Sequence, residues 1–271
     1  MKGLKKLLGL TLAAMMTMSL VGCSSSGDNG ESGEAADKLQ QIKDSGVLKV
    51  GTSAEYSPYE FHKVVDGEDK IVGFDDFIVQ EIAKDMGVKV EYTDMDFDGL
   101  LGALQADKVD IVLAGMTPNE ERKKSVDFSE IYYTNSNVCI VAKGKEDSIK
   151  SSDDLKKLKV GVQKGTTQAD YVTNTLGISD ATQLKKIPDL MLELQNGKID
   201  VIVTGKAVAE INVKKYDNIA IGNTTVGDEV AETAAAAIKK SSNGVDNTSF
   251  VKSVNDTIKR LQDSGDMDKY M

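Results

Sequence analysis

The sequence predicts an α/β protein of two similar lobes facing each other across a cleft. Three observations carry this. Short β-branched runs alternate with stretches whose apolar residues recur at helical spacing, as in layered sheets and helices. The chain also repeats itself: residues 104–115 read LQADKVDIVLAG and residues 194–205 read LQNGKIDVIVTG. Leu, Gln, Lys, a β-branched residue, Asp and the closing Gly recur at the same offsets. This separation is too long for a solenoid unit and fits two lobes of about 100 residues, each with its own core. Finally, each copy ends a buried strand in a glycine, and ligands of open α/β sheets bind beyond the carboxyl ends of strands.

The chain opens with Lys2, Lys5 and Lys6, followed by a mostly apolar run at 7–21 that is too short to span a bilayer comfortably. Leu20-Val21-Gly22-Cys23 resembles the lipobox of bacterial lipoproteins, in which the peptide is cut before the Cys and the Cys carries a lipid. SSSGDNGESGEAAD then reads as a tether, too polar to bury a core. The expectation is a signal peptide over 1–22, a flexible tether over 23–45, and an exported protein held to the outer face of the membrane through Cys23.

Composition fits an exported, acidic protein. The chain carries 33 basic and 43 acidic residues; losing residues 1–22 removes three lysines and no acids, leaving −13. That excludes nucleic acid and anionic membrane surfaces as natural partners. Cys139 lies in the apolar run NVCIVA and reads as a buried inert thiol. His62 has no second His or Cys nearby, so it suggests a loop residue and no zinc site. Neither a metal nor a cofactor is expected, and the protein is expected to be a monomer.

The folded part begins with a strand at 47–51, leading into the loop TSAEYSPYEF. There Phe61 suits packing beneath the loop, and Tyr56 suits the flat wall of a pocket. Phe74, Phe77, Ile78, Ile82 and Met86 mark a helix that Gly87 closes. A strand at 88–92 and a helix from Phe97 lead to the strand at 110–114. Beyond it stand Gly115, the hydroxyl of Thr117, Pro118 and Arg122, whose planar fork fits a carboxylate through two parallel hydrogen bonds. The run 132–143 reads as one long strand, with the first crossing between lobes near its end. A capped helix follows Ser151-Ser152-Asp153-Asp154. A strand at 160–162 then meets Thr166 and Thr167 at a helix start. That turn would present N–H groups and hydroxyls to an anion, though capping by Thr accounts for the same residues. The second repeat copy ends in Thr204-Gly205-Lys206. The chain returns to the first lobe after Gly222, and Phe250, Val251, Val254, Ile258 and Leu261 form the stripe of a final helix. The lobes are expected over 46–141 with 226–271, and over 142–225.

Taken together, GTSAEYSPYEF, GFDDFIVQEIA, FDGLLGALQADKVDIVLAGMTPNEERKKSVDFSEIYY, VGVQKGTTQADYV and GKIDVIVTG resemble the polar amino acid family of extracellular solute-binding proteins that serve ABC importers. The resemblance implies a type II periplasmic-binding-protein-like fold, two α/β lobes on two hinge strands closing over a ligand. It implies that Tyr56 and Phe97 stack on the ligand. Gly115 and Thr117 would bind it with backbone and hydroxyl, Arg122 would take the α-carboxylate, and Thr166 and Thr167 would meet that carboxylate from the other lobe. One position departs: family members usually end the second-lobe strand in an acid that meets the α-ammonium, and here Gly205 stands there. Either another acid serves, with Glu55 the best placed, or the ligand has no free α-amine. Ser53, where some members place an Asp, argues mildly against a cationic side chain. The expected function is binding of an amino acid or related small carboxylate and its delivery to an ABC permease. An enzyme on the same fold is the alternative, but there is no assignable acid–base pair. A sensor presenting ligand to a membrane receptor is another.

Overall fold

The computed structural model describes residues 35–227, 231–242 and 244–270. The expected signal segment, Cys23 and most of the expected tether lie outside the described residues. The described residues form one compact unit.

That unit is a two-lobed α/β fold built on two five-stranded sheets of the same design. In the first, the strand order is Lys89–Asp94, Val47–Thr52, Ile111–Val112, Ala237–Lys239 and Val126–Phe128. In the second it is Thr182–Leu184, Val160–Gln163, Val201–Gly205, Asn137–Ala142 and Ile219–Thr225. Each begins with three parallel strands, and each has a fourth strand antiparallel to both its neighbours. In both sheets that fourth strand comes from chain arriving from the other lobe. The two crossing segments also pair with each other, Tyr133–Asn135 against Glu232–Ala234, which gives a two-stranded hinge.

The sequence repeat is a structural repeat. The Asp110 carboxylate accepts from the Lys49 amide at 2.9 Å, and Asp110 N–H donates to the Lys49 carbonyl at 2.8 Å. Asp200 does the same with Lys159, at 2.9 and 2.8 Å. Each Asp thus locks its strand to the neighbouring parallel strand at the lobe's base. Each buried strand then runs toward its glycine at the opposite, cleft-facing end.

Helices form where the apolar spacing predicts. Phe74–Met86 buries Phe74, Ile78, Val79, Ile82 and Met86, and ends at Gly87, whose φ of +74° needs a residue without Cβ. Thr248–Asp263 buries Phe250, Val254, Ile258 and Leu261. Cys139 is buried on its strand, and desolvation pushes its thiol up to about 12, so it stays protonated.

Three expectations need correction. Residues 38–45 are helix rather than tether: Asp37 caps Lys38–Ser45 by accepting from the Leu39 amide, and Ile42 is buried. The run 132–143 is two strands, because the chain leaves the hinge at Ser136. Asn137–Ala142 already belongs to the second sheet, so the crossing precedes 141. His62 sits on the hairpin strand Glu60–Val65, between Asp69 at 2.9 Å and Asp94 at 3.1 Å.

Candidate ligand-binding site

Between the lobes lies a narrow, nearly closed cavity lined by Tyr56, Phe97, Ala114, Gly115, Thr117, Arg122, Gln163, Thr166, Thr167, Gln168 and Glu232. It sits beyond the glycine end of the first-lobe strand and against the second-lobe helix start, where the two-lobe reading puts it.

Its cation is Arg122. Asn119 caps Glu120–Ser125 by accepting from the Arg122 amide at 2.8 Å. This short helix turns the side chain back toward the cleft. There Nη1 donates to the Thr117 carbonyl at 2.6 Å and Nη2 to the Gly165 carbonyl at 2.9 Å, while the guanidinium lies over Phe97, 5.4 Å from the ring centroid. Arg122 is only 8 % exposed, and burial pulls its pKa down to about 10. Among the described residues no carboxylate forms an ion pair with it. Asp170 favours the charged form from a distance, but a desolvated cation whose hydrogen bonds go to neutral carbonyls is costly.

The opposite wall is Tyr56, stacked on Tyr59 with centroids 5.5 Å apart. Gly115 lets this wall close. Its φ is +54°, and a Cβ there would come within 3.2–3.3 Å of the Tyr56 ring. Tyr56 Oη donates to Glu232 Oε1 at 3.1 Å. Glu232 comes from the returning hinge strand and is 1 % exposed, and its second oxygen, Oε2, is buried without a hydrogen-bond partner. Burial pushes this carboxyl up to about 7 against the pull of the Tyr56 and Tyr59 hydroxyls.

Several contacts bridge the lobes around this cavity. Glu55 Oε1 accepts from Gln163 Nε2 at 2.7 Å, and Oε2 accepts from the Ile187 amide at 2.9 Å. Lys164 pairs with Asp98 at 2.8 Å and Lys185 with Asp96 at 2.5 Å. Desolvation raises the Glu55 pKa to about 7 despite its hydrogen bonds.

The family profile of bacterial extracellular solute-binding proteins, family 3, matches residues 48–271. This chain belongs to that family. It is 36 % identical over 271 residues to the arginine-binding extracellular protein ArtP of Bacillus subtilis (strain 168), covering 98 % of this chain and 96 % of that one. It is 32 % identical over 229 residues to the L-cystine-binding protein TcyJ of Escherichia coli (strain K12), covering 84 % of this chain and 82 % of that one. Among solved structures, it is similar to an amino acid ABC transporter substrate-binding protein from Streptococcus pneumoniae Canada MDR_19A bound to L-arginine. There the TM-score is 0.79 at 32 % identity, over 86 % of this chain and 95 % of that one.

In this solute-binding protein the cavity gathers Tyr56, Phe97, Gly115, Thr117, Arg122, Thr166 and Thr167, seven positions singled out in the sequence. Their groups are not all directed as expected. The Gly115 amide donates to Asp75 at 2.7 Å, and the Thr117 hydroxyl donates to the Thr233 carbonyl at 2.7 Å. Thr166 Oγ1 caps its helix by accepting from the Ala169 amide at 3.1 Å. Glu55 is not among the cavity-lining residues, since its carboxylate is spent on the bridge between lobes. Gly205 pairs with Asn137 at the hinge end of its strand and presents no side chain. Glu232 escaped the sequence reading. Its only signal is an acid two residues before the apolar run 234–238, and two neighbouring acids at 228 and 229 mask it.

Proposed function

We propose that this solute-binding protein takes an amino acid or related small carboxylate into the cleft between its lobes. It delivers the ligand to an ABC permease by lobe closure, working from a lipid anchor on Cys23. The observation that carries this is Arg122, a buried cation on the cavity wall whose side-chain hydrogen bonds among the described residues go to carbonyls. A carboxylate entering beside it would gain two charge-assisted hydrogen bonds and supply the missing counter-charge. Phe97 and Tyr56 would sandwich the rest of the ligand. The residues that bridge the lobes support closure as the capture step, because Glu55, Lys164 and Lys185 find their partners only when the lobes meet. A ligand favours that state only through contacts made in it alone, as a carboxylate would by meeting Arg122 from one lobe and Thr166 and Thr167 from the other.

The test is thermal unfolding of the protein against a panel pairing each amino acid with its α-deamino counterpart. A ligand specific to the folded state adds about 2.7 kcal/mol at a hundredfold excess over Kd. A shift with at least one carboxylate is expected. A flat response across the panel would remove the proposal.

A further inference from the structure

We propose that Glu232, reaching in from the returning hinge strand, binds the ammonium of the ligand, and that residue 205 is a glycine because the Glu232 carboxyl fills the space a side chain there would need. The inference rests on the amino-acid-binding reading above and names the group that meets the α-amine. A Cβ built on Gly205 would lie 1.8 Å from Glu232 Oε1, 2.1 Å from Cδ and 2.2 Å from Oε2. No heavy atoms approach that closely, so the carboxylate of one residue and a side chain on the other exclude each other. The Glu232 carboxyl therefore occupies the place that a side chain on residue 205 would take, delivered from a different segment.

Three further features make it a ligand group rather than a packing residue. Glu232 lines the same cavity as Arg122, so the cavity holds one fixed cation and one acid, the complement of a zwitterion. Oε2 is buried and unpartnered, a cost an incoming ammonium would remove. Tyr56 holds Oε1, which fixes the orientation of the carboxylate and leaves Oε2 for the ligand. Glu55 cannot compete, since both its oxygens are engaged by Gln163 and Ile187.

The experiment is titration calorimetry on the purified protein with the amino acid of largest thermal shift and with its α-deamino counterpart. The variants are Glu232→Gln, Gly205→Asp and the exchange Gly205→Asp/Glu232→Ala, with ligand-free unfolding measured on each. Glu232→Gln is expected to weaken the amino acid by roughly a hundredfold or more, while the deamino acid binds as well as before or better. Gly205→Asp alone is expected to lose binding through the clash, and the exchange variant to recover most of it. Equal affinity of Glu232→Gln and the parent for the amino acid would overturn the proposal. So would equal losses for both ligands, the mark of a purely structural glutamate. A parent that binds no amino acid would bring down the functional reading itself, a result distinct from either.

Discussion

Replacing Arg122 by Ala separates ligand binding from folding. In the structure the guanidinium gives two hydrogen bonds to carbonyls and lies over Phe97. Hydrogen bonds from a charged group contribute about 1.5–3 kcal/mol each. Against these stands the desolvation of a cation that is 8 % exposed and has no ion-pair partner among the described residues. The terms nearly cancel, so Arg122→Ala is expected to change the stability of the ligand-free protein by no more than about 1–2 kcal/mol, a few degrees in Tm. Binding has no such cancellation. A carboxylate entering an arginine-free site loses its counter-charge and a bidentate contact. That corresponds to about 3–5 kcal/mol, or at least a hundredfold in Kd. Calorimetry with the best ligand of the panel, beside unfolding without ligand, measures both. A Kd within threefold of the parent would refute the assignment of Arg122 to the carboxylate. A collapse in stability would show that the two carbonyl bonds, not the ligand, are the reason for the arginine.

Glu55→Ala removes two hydrogen bonds between lobes and is expected to weaken every ligand by about tenfold, with or without an α-amine; a loss confined to amines would return Glu55 to the ammonium site. The carboxyls of Glu232 and Glu55 are pushed up to about 7 and that of Asp75 to about 6, all by desolvation, so the folded state holds more protons than the unfolded one between roughly pH 4 and 7. Through these groups stability falls as pH rises across that window, by about 1.4 kcal/mol per unit of pKa difference. The ligand-free protein is therefore expected to melt higher at pH 5.5 than at pH 8, with a smaller difference in Glu232→Gln, and a higher melting point at pH 8 would contradict this. Cys23→Ser is expected to abolish incorporation of an alkyne-labelled fatty acid and release the protein into the medium, whereas unchanged labelling would place the anchor elsewhere.

Much of this protein was legible in one dimension. The repeat at 104–115 and 194–205 announced two lobes because it encodes local chemistry: a helix end, a turn, an Asp that pins a neighbouring strand, and an apolar run. Helical periodicity at 74–86 and in the last helix needed no tertiary information, since one buried face repeats every three to four residues. Arg122 stood out because a strand ending in glycine already says where a ligand would lie, Tyr56 because it follows the carboxyl end of another strand, and Phe97 only through the family resemblance. The folded chain decided what depends on distant contacts. Residues 38–45 look like a tether until Ile42 finds a core to enter. The apolar run 132–143 carries no mark of the break at Ser136, where two sheets claim its halves. An acid that lines the cavity from a hinge strand has no spacing rule tying it to Arg122, because the two stand 110 positions apart in the chain. Glu232 and Gly205 are joined by steric exclusion alone, and exclusion between residues far apart in sequence exists only once the chain has folded.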